Sequence, residues 1–142
     1  MKEKLRNTLL WWLLIAALVL LVSVLHYTTS TMKWQYHLIY MQSYFIPILI
    51  AAFQFGLRGG LGTALAVSLI YFPHVIFQWG GLVEGNLMRY LQIVLFNVVG
   101  IVTGIKSDHE RRETELYLQA AAELQESLNL LRQQSGMLEE ME

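Results

Sequence analysis

The chain has 142 residues, 55% of them hydrophobic, with a mean hydropathy of +0.43 and a formal net charge of −1. It has no cysteine, which excludes disulfides, thiolate metal sites and cysteine nucleophiles. Soluble domains are about 45–50% apolar; here the excess is gathered into long runs, as a membrane chain requires.

The balanced charge hides an asymmetry. Of the eleven acidic residues, all but Glu3 and Glu84 lie after Lys106, whereas Lys2, Lys4, Arg6, Lys33, Arg58 and Arg89 precede it. One part suits lipid and the other water. We expect two domains, a membrane sensor domain over 1–106 and a cytosolic signalling helix over 107–142.

Lys2, Lys4 and Arg6 precede an apolar stretch from Leu9 to Leu25, long enough to cross a bilayer and without a small-x-small cleavage site before Thr28-Thr29-Ser30. This predicts a retained anchor, helix one, from about Leu9 to Tyr27, with Trp11 and Trp12 at the interface. Three further runs approach the ~20 residues that a hydrocarbon core demands. They span roughly Tyr40 to Phe55, where Pro47 predicts a kink, Gly60 to Phe77, and Leu87 to Ile105. The expected fold is an all-α membrane protein, a bundle of four transmembrane helices.

Four crossings put Lys2, Lys4, Arg6, Arg58, Lys106, Arg111 and Arg112 on one side, so both termini are expected in the cytosol. The outer loops, about Thr28 to Ile39 and Gln78 to Asn86, are too short for a folded domain. Gly100 and Gly104 form a G-x-x-x-G pair on helix four that lets another helix come close. The run Gly56-Leu57-Arg58-Gly59-Gly60-Leu61-Gly62 has no Gly-Lys-Ser/Thr ending and follows no strand, so it reads as a tight inner turn and not a phosphate loop.

Beyond Ser107 the period changes. Leu124, Leu128, Leu131 and Leu138 alternate four- and three-residue steps, Tyr117 and Ala121 extend the series backward, and Ser135 interrupts it. This is an a/d seam of about three heptads, which a parallel homodimer would bury. No proline interrupts Leu87 to Glu142, so helix four is expected to run into this coiled coil. The alternative is a solvated tail.

His26, His37 and His74 fall on the outer side of the expected topology, with Glu84 in the second outer loop. Three imidazoles and a carboxylate form a set that a zinc, copper or nickel ion accepts. The same residues also fit a proton-sensing cluster, since free imidazole titrates near 6.5, or passive interfacial positions. Tyr44, Arg89 and Gln92 in the outer half are candidates for a small-molecule site or for hydrogen bonding between helices. Asn97 lies deeper in helix four and is expected to bond between helices. His109 sits among charges and reads as solvated. No Ser-His-Asp set, carboxylate pair, nucleotide loop or basic aromatic stripe is present, so neither an enzyme active site nor a nucleic-acid partner is expected of this stretch.

The stretches Leu25-His26-Tyr27, Tyr44-Phe45-Ile46-Pro47, Ala51-Ala52-Phe53-Gln54-Phe55-Gly56-Leu57-Arg58-Gly59-Gly60, Tyr71-Phe72-Pro73-His74 and Val98-Val99-Gly100, with the exit Ser107-Asp108-His109-Glu110-Arg111-Arg112, span most of the chain. Together they resemble the membrane sensor region of a bacterial two-component sensor histidine kinase. The resemblance implies a multi-pass protein of the bacterial inner membrane whose coiled coil leads to a kinase domain acting on a response regulator. The family's phosphoacceptor histidine has an H-E-x-x-N-P context. His109-Glu110-Arg111-Arg112-Glu113-Thr114 lacks the Asn-Pro, so that role does not transfer. Kinase activity would then belong to parts outside this stretch. A membrane anchor that recruits a partner through its coiled coil, and senses nothing, is the other reading; a transporter fits less well, for want of an internal repeat.

Overall fold

The computed structural model describes residues 2–30, 32–80 and 83–141; the side chains of Glu84 and of positions 138–141 lie outside the described residues. Among those residues no strand occurs. The elements are α1 (Lys2–Thr28), α2 (Trp34–Ser43), α3 (Phe45–Gln78), a 3-10 turn at Glu84–Asn86, and α4 (Leu87–Met141). The fold is all-α, and three stretches, α1, Trp34–Gln78 and α4, are long and apolar enough to cross a membrane. The residues group into two compact units, Met1–Asp108 and His109–Glu142.

Pro47 acts upstream of its own position. It lacks the N–H that would bond the Ser43 carbonyl, and its ring crowds that carbonyl. So α2 stops at Ser43, Tyr44 makes the turn, and Pro47 sits in the first turn of α3, where its N–H is not needed. The interruption expected at Pro47 thus falls at Tyr44, whose own backbone stays helical at φ −63° and ψ −21°.

The expected turn over 56–62 shrinks to one residue. Only Gly56 leaves helical geometry, at φ 65° and ψ −149°, a combination essentially confined to glycine. There the chain doubles back. The Tyr71 hydroxyl donates to Met41 Sδ at 3.1 Å, and the Tyr44 and Tyr71 ring centroids lie 6.3 Å apart. A straight helix would hold those residues some 40 Å apart, at ~1.5 Å per residue.

The helical stretch restarting at Leu57 needs an acceptor for its first N–H groups. Asp108 supplies one from α4, accepting the Leu57 N–H at 2.9 Å, while Ser107 Oγ donates to the Phe53 carbonyl at 3.2 Å. A capping bond of this kind contributes about 1 kcal/mol. A Cβ at Gly56 would overlap the Asp108 carboxylate. Trp12 stacks on Phe55 beside this turn, with centroids 4.6 Å apart.

Glycines set the α3–α4 contact. A Cβ on Gly100 would lie 2.6 Å from the Gly60 carbonyl oxygen, and one on Gly104 would lie 2.6 Å from Leu57 Cα. The G-x-x-x-G pair of α4 therefore meets a matching small-residue row, Gly56, Gly60 and Ala64, on α3. Above it, Asn97 Nδ2 donates to Ser68 Oγ at 2.9 Å, the expected bond between helices. Val22, Tyr44, Ile48, Val67 and Phe96 fill the interior. The outward faces carry Leu13, Leu20, Leu69, Phe77, Leu91 and Val94, all exposed. An apolar surface of this extent is unsuited to water.

In the second unit every described side chain from His109 to Met137 is exposed. Bonds there are local, such as His109 Nε2 to Glu113 Oε1 at 3.4 Å. Tyr117, Ala121, Leu124, Leu128 and Leu131 run along the helix uncovered; the side chain of Leu138 lies outside the described residues.

Candidate metal centre

Three helices each deliver one imidazole to one place. His26 lies in the last turn of α1 and His74 one turn before the end of α3, directly after Pro73. His37, expected in a loop, lies instead in the first turn of α2. The negative ends of α1 and α3 favour positive charge here, and the positive end of α2 at His37 opposes it.

His26, His37 and His74 are only 2%, 5% and 1% exposed. One ring nitrogen from each lies within 4.8 Å of the others. Ring centroids are 4.2 Å apart for His26–His74, 4.9 Å for His26–His37 and 5.6 Å for His37–His74. Tetrahedral coordination with metal–nitrogen bonds of about 2.05 Å needs nitrogens about 3.3 Å apart. Closing the longest edge therefore takes at most about 1.5 Å.

The hydrogen bonding is incomplete where a ligand would sit. Neither ring nitrogen of His26 has a partner, and Nδ1 is unpartnered on both His37 and His74. Buried polar atoms left unsatisfied cost about 1–3 kcal/mol each, so four on three neighbouring rings favour a ligand. His37 is already prepared for one. Its Nε2–H donates to the Thr29 carbonyl at 2.8 Å, which leaves the Nδ1 lone pair free. Metal-bound histidines usually have such a backbone partner.

His74 is occupied differently. The Trp79 indole N–H donates to its Nε2 at 3.4 Å, and an indole can only donate. Nε2 therefore bears the lone pair, and Nδ1 the hydrogen. Coordination through Nδ1 would place a hydrogen on Nε2 facing the indole, and coordination through Nε2 would displace the indole outright. Metal ligation by His74 and the Trp79 contact exclude each other. Replacing Trp79 with Phe removes the competitor and is expected to tighten zinc binding about threefold to tenfold, the worth of one neutral hydrogen bond. Calorimetric titration reads this directly, and unchanged or weaker binding would contradict the exclusion.

Trp79 is gripped by the residues that begin α4. The Arg89 guanidinium lies over its ring, 3.6 Å from the centroid, and Asn86 Nδ2 donates to its carbonyl at 2.8 Å. Arg89 also donates to Asn86 Oδ1 at 2.6 Å. A cavity of about 280 Å³ opens beside this group, lined by His26, His37, Met41, Tyr71, Trp79 and Arg89 among others.

Of the other expected residues, Arg89 lines this cavity. Tyr44 lies in the core, donating to Ser23 Oγ at 2.9 Å, and Gln92 is buried on α4; neither lines the cavity. The side chain of Glu84, the expected carboxylate ligand, lies outside the described residues. His109 is exposed. Sequence reasoning missed Met41 and Trp79. The signal for Met41 was its four-residue spacing from His37, which puts both on one helix face.

Comparison with family models, with curated proteins and with solved structures finds no match to this chain.

Proposed function

We propose that this chain is the transmembrane sensory and dimerisation module of a bacterial sensor histidine kinase, detecting a metal ion at its extracytoplasmic end. In this reading the chain crosses the inner membrane four times, doubling back at Gly56, with both termini in the cytosol. The positive residues that flank the crossings support that orientation. The observation that carries the reading is the buried group of three imidazoles with four unpartnered nitrogens. Ionisable side chains at membrane depth are retained for function.

The relay follows from Trp79. Ion binding expels its indole from His74, and with it disturbs the Arg89 and Asn86 contacts that anchor the start of α4. Helix α4 is helical from Leu87 to Met141, so a rotation or shift at its start can bias the pairing of two tails along Leu124, Leu128 and Leu131. Ligand and tail then act on one two-state element, as signalling demands. A tenfold preference for one state shifts the balance by about 1.4 kcal/mol. Kinase and response regulator would be reached through the parent protein.

Titrating zinc and copper into the purified protein, with His26→Ala and His74→Ala alongside, tests the reading. We expect saturable binding by the native chain and at least a hundredfold loss in each variant, beyond the ten- to hundredfold that losing an outer-shell partner costs. Equal affinity in all three removes the metal site. The exposed tail seam favours one second reading, a membrane anchor that only recruits a partner. Replacing all three outer histidines would leave the output of such an anchor unchanged.

A further inference from the structure

The surroundings of the three imidazoles also select among ions, an inference that rests on the metal-centre reading above. A thioether shares the cavity that His26 and His37 line: Met41 lies one turn after His37 on α2. Its Sδ accepts the Tyr71 hydroxyl and retains a second lone pair. Met88 of α4 lines the same cavity. The chain has no cysteine, and among the described residues no carboxylate joins the group.

Among the described residues the donors are therefore neutral imidazole and thioether, with the Arg89 cation nearby over Trp79. The cost of burying an ion rises with the square of its charge, so a site without an anionic ligand penalises a divalent ion about four times as heavily as a monovalent one. Thioether ligands favour cuprous ion, whereas magnesium, calcium and manganese favour carboxylate oxygens, of which none joins the group among the described residues. We infer that the His26–His37–His74 centre takes copper as Cu(I), with Met41 as a fourth ligand and Met88 at the mouth through which the ion arrives.

The test uses the full chain in lipid nanodiscs without oxygen. Cu(I) is competed against a chromophoric cuprous chelator and Zn(II) against a zinc chelator, for the native protein, Met41→Leu and Glu84→Gln. We expect one Cu(I) per chain, bound at least about a hundredfold more tightly than Zn(II). Met41→Leu should weaken Cu(I) by about tenfold or more and leave Zn(II) within about twofold, while Glu84→Gln should change neither by more than about twofold. Zn(II) binding more tightly than Cu(I), equal losses for both ions in Met41→Leu, or a Cu(I) loss in Glu84→Gln would each overturn the inference and leave the metal centre standing. A folded native protein that binds neither ion would overturn the centre itself. Should Met41→Leu fail to fold, X-ray absorption on the copper-loaded native protein decides. A sulfur neighbour is expected, and a shell of nitrogen and oxygen alone would overturn the inference.

Discussion

Replacing Gly60 with Leu is expected to cost about 3 kcal/mol or more, a large part of a typical stability of about 5–15 kcal/mol. The new Cβ would overlap the Gly100 carbonyl oxygen and press on Ala52 Cβ. Because the obstacle is backbone, no rotamer change relieves it, and α3 must separate from α4. Overpacked cores lose about 1–3 kcal/mol when side chains can adjust; here they cannot. Gly62, two residues on, is the control, since a Cβ added there would meet nothing within 4 Å. Gly62→Leu should instead gain up to about 0.8 kcal/mol from helix propensity. Thermal unfolding in detergent reads both, and similar behaviour of the two variants would show that the glycine row does not set the packing.

The second large effect is a pair of opposite changes in one variant. Replacing His26 with Leu should reduce ion affinity by more than about a hundredfold, since it removes one of the three proposed imidazole ligands. The same change should raise the stability of the ion-free protein by about 1 kcal/mol. His26 holds two buried nitrogens without partners, and replacing an unsatisfied buried polar group with an apolar one of similar size relieves its desolvation cost. A histidine kept for structure would behave otherwise, its loss destabilising the protein. Opposed signs mark a site whose stability is given up for binding. A destabilised His26→Leu, or one that binds the ion as tightly as the native chain, would contradict the assignment.

Much of the unit up to Asp108 was legible from hydropathy and charge. The long apolar runs became helices, and the paired glycines at 100 and 104 marked the close contact. Histidines 26, 37 and 74 have no local spacing motif, yet the expected topology put them on one side. Their meeting depends on the reversal at Gly56, which a run of glycines announced without showing which one carries it. Asp108 could not be found this way, because its partner is a backbone N–H that exists only once the chain has turned. Trp79 was equally hidden. Its role follows from one hydrogen bond to His74, and a tryptophan near an interface ordinarily reads as an anchor. The break at Tyr44 was displaced from Pro47 because a proline disturbs the carbonyl four residues before it.

A chain without cysteine allows one label to be placed cleanly. With Gln125→Cys carrying a spin label, in the full chain in lipid, the distance between the labels of two copies can be measured without ion, with Zn(II) and with Ag(I) as a redox-inert stand-in for Cu(I). The account predicts one narrow distance distribution that shifts when at least one of these ions binds and stays fixed in His26→Leu. Tails with no intermolecular distance, or a distribution that neither ion moves, would contradict it.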